Sequence, residues 1–224
     1  MNAPSKDDLP VDQRLKVTEI FHSLQGEAEA SGIPTVFVRL TGCPLRCQYC
    51  DTPYAFFGGE WMHFDDVLGQ VEQYSVSHVC VTGGEPLAQR NCLGMLVCLC
   101  DAGYEVSIET SGAYDIGELD QRVTRVVDIK TPGSLEVERN RLENIPLLRH
   151  TDQVKFVVCD RTDYDWACEF VKTHDLRSRC QVYFSPSYDQ LAARELADWI
   201  LADGVDVRLQ IQLHKLLWGD KPGH

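Results

Sequence analysis

Short apolar runs rich in β-branched residues recur along this chain, and six of them end on polar motifs. The runs are Lys16–Phe21, Thr35–Thr41, His78–Thr82, Glu105–Glu109, Arg125–Ile129, Gln153–Val158, Gln181–Phe184 and Asp206–Ile211. Between several of them, Phe64–Gln73, Leu87–Ala102, Asp163–His174 and Asp189–Ala202 carry apolar residues at three- and four-residue steps, the spacing of amphipathic helices. Strand and helix in alternation predict parallel βαβ units and an α/β fold. No repeat, low-complexity tract or Ser/Gly-rich linker divides the chain. The expectation is one domain over residues 15–224 behind a flexible arm at 1–14. At 224 residues and 44% hydrophobic content the chain can fill a sizeable core.

Polar motifs at the carboxyl ends of strands mark where α/β folds bind ligands. After the second run comes Cys43-Pro-Leu-Arg-Cys47-Gln-Tyr-Cys50. Thr82-Gly83-Gly84-Glu85-Pro86, Glu109-Thr110-Ser111-Gly112 and Asp128-Ile129-Lys130-Thr131-Pro132-Gly133 end later runs. Ser185-Pro186 and Gln212-Leu213-His214-Lys215 complete the set.

Three cysteines in one loop offer soft thiolate ligands, which select zinc or iron–sulfur clusters. A cube of four irons needs four ligands, so a triplet leaves one iron open to a substrate or cofactor. The competing reading is structural zinc with Cys80 or a histidine as the fourth ligand. Zinc sites usually pair two separated Cys-x-x-Cys halves, and the second half is missing here. Cys80, Cys92, Cys98, Cys100, Cys159, Cys168 and Cys180 sit irregularly in apolar stretches and read as small core residues.

The other motifs also have plain readings. Gly83-Gly84 is a tight turn or a close approach to a ligand. Glu109 is a helix cap with Lys130 as its surface partner, or both are buried beside a ligand. His214 is solvated, or half-enclosed by Ile211, Leu213, Leu216 and Trp218.

A formal charge of −13 argues against a nucleic-acid surface. Residues 1–16 lack the apolar core of a signal peptide, and no apolar run nears the roughly 20 residues needed to cross a bilayer. With ten cysteines, the expected setting is a reducing cytoplasm rather than a disulfide framework.

Cys-x-x-x-Cys-x-x-Cys with an aromatic before its last cysteine, then a strand and Gly-Gly-Glu-Pro, resembles the radical S-adenosylmethionine superfamily over residues 43–86. Upstream lie Glu19-Ile-Phe-His-Ser-Leu-Gln-Gly-Glu27, Gly32, Pro34 and Phe37-Val-Arg-Leu40. Together with the 109–112, 128–134 and 214–219 segments, they make nearly the whole chain similar to the 7-carboxy-7-deazaguanine synthase family.

The resemblance implies a partial (β/α)6-type barrel with abbreviated helices, the radical SAM fold. Cys43, Cys47 and Cys50 would hold a [4Fe–4S] cluster. S-adenosylmethionine would lie against Tyr49, Gly84, Glu85, Ser111, Asp128, Ile129, Lys130, Ser185 and Pro186. The implied substrate is 6-carboxy-5,6,7,8-tetrahydropterin, converted to 7-carboxy-7-deazaguanine with loss of ammonia. Leu24, Gln25, Gly26, Glu27, Arg39, Thr82, Glu109 and His214 would surround it, and Thr52 would ligate Mg2+. A homodimer and an electron donor such as flavodoxin or ferredoxin also follow from the resemblance. Two departures stand out. Ala28 replaces the usual third Gly of Gly-Glu-Gly, so the backbone there must avoid positive φ or accept strain. Ser111 stands where Asn is frequent, and its hydroxyl can take over the hydrogen bonding. The aromatic stretch Pro53–Trp61 would cover the cluster or the substrate. The competing functions are an activase of glycyl-radical enzymes and a non-enzymatic zinc or cluster module.

Overall fold

The computed structural model describes residues 13–219 and Gly223. Most of the arm expected at 1–14 lies outside these residues, but Arg14 already begins the first strand. One nine-stranded sheet runs through the molecule in the order β3-β1-β2-β4-β5-β6-β7-β8-β9. The strands are β1 (Arg14–Leu24), β2 (Pro34–Leu40), β3 (Glu60–His63), β4 (His78–Gly83), β5 (Glu105–Thr110), β6 (Thr124–Ile129), β7 (Gln153–Val158), β8 (Gln181–Pro186) and β9 (Arg208–Leu209). From β2 to β9 every pairing is parallel. The sheet does not close, since β3 and β9 are its edges; it is the expected partial barrel.

Helices cover one face: α1 (Phe64–Val71), α2 (Cys92–Asp101), α3 (Arg161–Thr173) and α4 (Ala193–Asp203). Each strand divides its side chains by the period of two. Val79 and Val81, Val127 and Ile129, and Val154, Phe156 and Val158 join Met95, Leu96, Tyr164, Ala167 and Leu196 in one core. Full burial of each large apolar side chain contributes about 1.5–3 kcal/mol. The alternate residues, Arg39, Thr82, Glu109, Asp128 and Lys155 among them, face a cavity on the other side.

Several elements depart from expectation. β1 pairs antiparallel with both β2 and β3, because no crossover helix separates it from β2. β3 was not anticipated; it forms the end of the aromatic 53–61 stretch. The strand expected at Asp206–Ile211 shrinks to two residues. The helix expected from Leu87 begins at Cys92. Gln89 explains the delay: it lies in extended backbone, and its amide is tied to other strands. Its Oε1 accepts from Lys16 N at 2.8 Å, and its Nε2 donates to Lys16 O and Thr41 O, both at 2.9 Å. Gln89→Ala is expected to destabilise the protein by about 1–3 kcal/mol, since it removes the side-chain partners of Lys16 N and Thr41 O, while Lys16 O keeps its bond from Thr41 N. Urea denaturation would measure this, and an unchanged midpoint would refute it. The helix expected from Asp189 starts at Ala193, after Asp189 adopts a left-handed φ of 64°.

The β5–β6 and β6–β7 connections carry no α-helix. An ionic knot at the amino ends of these strands takes their place. Arg125, buried, pairs with the fully buried Asp152 and donates to Ile116 O at 3.0 Å and Leu147 O at 2.6 Å. Arg149 closes the other side of Asp152 at 2.9 Å. Every charge here has hydrogen-bonded partners, the condition under which burial is tolerable.

Of the cysteines read as core, Cys80, Cys92 and Cys180 are buried, while Cys98, Cys100, Cys159 and Cys168 are only half-buried.

Candidate active site

The carboxyl ends of the parallel strands open into one cavity, and the six strand-end motifs meet there. The cysteine loop leaves β2 and is braced on two sides. On one side Gly84 N donates to Leu40 O at 3.1 Å and Glu85 N to Gly42 O at 2.8 Å. A side-chain carbon on Gly83 would lie 2.6 Å from Leu40 N; one on Gly84 would lie 2.8 Å from the Cys43 Cβ and collide with Gly42 O. Gly83 is therefore required by contact with the end of β2, and Gly84 by contact with the cysteine loop. On the other side Gln48 N donates to Ser134 O at 3.2 Å, and the Gln48 side chain reaches Gly133 O. The 131–134 turn is in turn pinned by buried Asp163, which accepts from Gly133 N at 2.7 Å and Thr131 Oγ1 at 3.0 Å.

Cys43, Cys47 and Cys50 all line the cavity half-exposed. Burial pushes all three thiols up, Cys47 to about 11, although Lys130 pulls the other way. Among the described residues no three Cys, His, Asp or Glu side chains converge on a single-ion site, and Cys80 is not in the cavity wall. A closed zinc cage would need a fourth ligand beside the triplet, and Cys80 does not supply it.

Most of the expected cofactor residues surround the triplet. Tyr49, Gly84, Ser111, Asp128, Lys130, Ser185 and Pro186 line the cavity. Two do not. Glu85 is fully buried behind Ser111, accepting from Ser111 N at 2.7 Å, Thr110 Oγ1 at 2.9 Å and Leu87 N at 2.9 Å. Its carboxylate clamps the β4 and β5 ends together and is consumed in doing so. Ile129 belongs to the helix-side core because it alternates with Asp128 and Lys130. Its side chain faces away from the cavity.

Two buried atoms, Tyr49 OH and Asp128 Oδ1, have no hydrogen-bond partner. Such groups cost about 1–3 kcal/mol each unless something completes them. A ligand bearing hydroxyl or amino groups meets that need beside the thiols. The donor set therefore fits a cluster and S-adenosylmethionine.

The expected substrate residues Leu24, Gln25, Gly26, Glu27, Arg39, Thr82, Glu109 and His214 all line the same cavity, with Thr52. Glu109 accepts from Gln25 Nε2 at 3.1 Å and Thr82 Oγ1 at 2.9 Å. Arg39 Nε donates to Glu19 at 2.7 Å, and Tyr54 OH donates to the same carboxylate at 2.8 Å. Tyr54 comes from the aromatic stretch, which thus reaches the substrate end of the cavity, while Ala55 O accepts from Gly42 N at 2.8 Å and Phe56 packs on Arg46 of the cysteine loop. Thr52 Oγ1 donates to Asp51 at 2.8 Å. Ala28 sits at φ 61°, so the chain accepts the strain that glycine would avoid.

His214 arrives on α5 (Leu213–Trp218), a helix the sequence reading did not anticipate. Leu213 N donates to Gly26 O at 3.0 Å, and any side chain on Gly26 would strike the His214 ring. The same α5 start delivers Gln212, which donates to Glu27 Oε1 at 2.7 Å. Lys155 was also missed. It pairs with Glu27 and lies 3.7 Å from Asp128, which Lys130 holds at 3.1 Å. Its signal was available: Lys155 interrupts Val154, Phe156 and Val158 at the inward-facing period. Burial works to raise the Glu27 carboxyl, but Lys155 and the Gln212 hydrogen bond outweigh it and bring it to about 2. Glu27 is ionised throughout the neutral range.

A triplet of thiols at the mouth of a partial barrel, backed by a Gly-Gly turn, defines a radical SAM protein, and the Radical SAM superfamily model matches residues 37–127. A 7-carboxy-7-deazaguanine synthase of Koribacter versatilis is 41% identical over 91% of this chain and 97% of its own length. One of Chlorobaculum tepidum is 41% identical over 91% and 94%. The chain belongs to the 7-carboxy-7-deazaguanine synthase family. The fold agrees: the crystal structure of QueE from Escherichia coli covers 90% of this chain and 95% of its own, at a TM-score of 0.70 and 24% identity. Streptococcus suis SuiB shares the fold more distantly, with a TM-score of 0.53 over 76% of this chain and 47% of its own.

Proposed function

We propose that this cavity converts 6-carboxy-5,6,7,8-tetrahydropterin to 7-carboxy-7-deazaguanine with loss of ammonia, in deazapurine and queuosine biosynthesis. The observation that carries the reading is a charged inner wall built beside an open cysteine triplet. Relatives named for this reaction support it. Cys43, Cys47 and Cys50 would hold the cluster, with Gly84, Ser111, Asp128, Lys130, Ser185 and Tyr49 around S-adenosylmethionine. When bound, that pair supplies a one-electron reduction and a radical able to abstract hydrogen from carbon.

The protein's own part is recognition and orientation. Glu19 engages Arg39 through Nε, which leaves the terminal nitrogens to receive a carboxylate as a fork. Glu27 and Glu109 are acceptors suited to the N–H groups of a pterin. Gln25 and Thr82 fix the Glu109 carboxylate, and His214 packs against Gly26 to close the loop over the ring. Holding the substrate on both edges would confine hydrogen removal to one carbon.

Thr52 would ligate Mg2+, with substrate oxygens and water completing the hard-donor set. Thr52→Ala is expected to weaken the dependence of turnover on magnesium while leaving cofactor cleavage nearly intact; equal loss of both would remove Thr52 from the metal. The reading carries with it a homodimer, a flavodoxin or ferredoxin as reductant and a cytoplasmic setting. Among the described residues no helix is long and apolar enough to cross a membrane.

The deciding experiment is anaerobic reconstitution with iron and sulfide, then an assay with the pterin, S-adenosylmethionine, magnesium and a reductant. Formation of 7-carboxy-7-deazaguanine with ammonia release is expected. Turnover only with a protein partner would overturn the reading in favour of a glycyl-radical activase.

A further inference from the structure

The proposed function leaves Lys155 without a role, yet its ammonium lies at the centre of the charged wall. It reaches from β7 to Glu27 on the substrate side and stands 3.7 Å from Asp128 on the cofactor side. Asp128 has a closer cation of its own in Lys130, at 3.1 Å. Glu27 has none: its other oxygen accepts from the neutral Gln212 amide at 2.7 Å. The lysine is therefore committed to Glu27.

We propose that Lys155 is a positioning residue for the substrate, holding Glu27 as a fixed, acceptor-only carboxylate that selects a ligand presenting N–H donors. The proposal rests on the pterin reading above. A carboxylate offers about four acceptor positions. Lys155 fills one on Oε2 and Gln212 one on Oε1, which sets the plane of the group and leaves two positions for a ligand. Were Glu27 protonated, one oxygen would turn donor and oppose the amino and ring N–H groups of a pterin. Desolvation pushes Glu27 toward that form, and the Lys155 ammonium prevents it.

The other charged groups around Glu27 do not replace the lysine. His214 on α5 contributes only a minor attraction. Asp128 on β6 and Glu109 on β5, both close enough to bear on Lys155, are anions and would favour protonation of Glu27. Asp51 lies beyond Gln212, 3.4 Å from its amide.

The test compares Lys155→Met and Lys155→Arg in reconstituted enzyme, reading KM for the pterin from pH 6 to 9 and cofactor cleavage without pterin. For K155M, KM at pH 7 is expected to rise about tenfold or more, as for loss of a charged hydrogen bond. The penalty should shrink as pH rises, because Glu27 then ionises unaided. Cofactor cleavage without pterin should fall by less than KM rises, since Lys130 still holds Asp128, and K155R should restore KM. A KM for K155M within about twofold of wild type at every pH would overturn the proposal, as would a penalty independent of pH. If K155M does not fold, Glu27→Gln with and without K155M carries the test: with the charge gone, removing Lys155 should raise KM no further, and additive losses would overturn the proposal. Failure of wild-type enzyme to turn over the pterin would instead sink the functional reading, so the two failures are distinct.

Discussion

Replacing Cys47 with Ala is expected to abolish iron retention and cofactor cleavage while leaving the fold intact. The site offers three thiols in one loop, and a four-iron cube with one ligand already supplied from outside the protein has none to spare. With Cys47 gone, two ligands remain. Among the described residues Cys80 is outside the cavity wall and no histidine forms a metal-holding group with the triplet, so neither is placed to substitute. The thiol is half-exposed, so its removal takes little from the core. Far-UV circular dichroism should match wild type, iron per chain after reconstitution should fall to background, and 5′-deoxyadenosine should be undetectable. Stoichiometric iron and full cleavage in this variant would remove Cys47 from the ligand set.

Gly84→Ala is expected to damage the same centre without touching a ligand. The new methyl would sit 2.8 Å from Cys43 Cβ and against the carbonyl of Gly42. Both neighbours are backbone or the first side-chain atom, so neither can rotate away; the cysteine loop itself must move. Overpacking of this kind costs about 1–3 kcal/mol. The larger effect is functional, because ligand positions tolerate shifts of only about 0.5 Å. Iron retention and turnover should both collapse, with a drop in melting temperature of roughly 2–4 °C per kcal/mol for a chain this size. Gly69→Ala is the matched control. It lies exposed within α1 with nothing within 4 Å of the added carbon, and helix propensity alone should stabilise it by up to about 1 kcal/mol. If Gly84→Ala retained iron and activity as Gly69→Ala does, the packing of the Gly-Gly turn against the cysteine loop would have no functional weight.

These two cases show how differently parts of the site are legible. The triplet and Gly-Gly-Glu-Pro are local motifs whose spacing states their chemistry. What each motif touches is not local. Glu85 looked like a cofactor residue because it stands in the motif, but its carboxylate ties Thr110 and Ser111 to the β4 end. Ile129 stands between two cavity residues and points the other way, as strand alternation requires. Gly84 and Gly26 looked like ligand contacts; their smallness is used by Cys43 and His214, which are 41 and 188 residues away in the chain.

The strands β2 and β4 to β8, most of the helices and the strand ends that carry the chemistry were readable from period-two and helical repeats, because those repeats record which face is buried. β1 was readable as a strand, but its antiparallel pairing with β2 was not; edge strand β3 and helix α5 were missed, since their short patterns gain order only from the surfaces they meet. The same limit hid Lys155 and Gln212. Alternation with Val154 and Phe156 shows that Lys155 faces away from the helix-side core, but neither it nor a glutamine in a polar stretch names its partner; only the packing of β7 and α5 around the 24–27 loop brings them to Glu27. Linear order thus determined the strand framework, the cluster loop and the class of chemistry. Tertiary structure decided which charges face one another across the cavity, because Coulombic and hydrogen-bond energies depend on distance in space rather than along the chain.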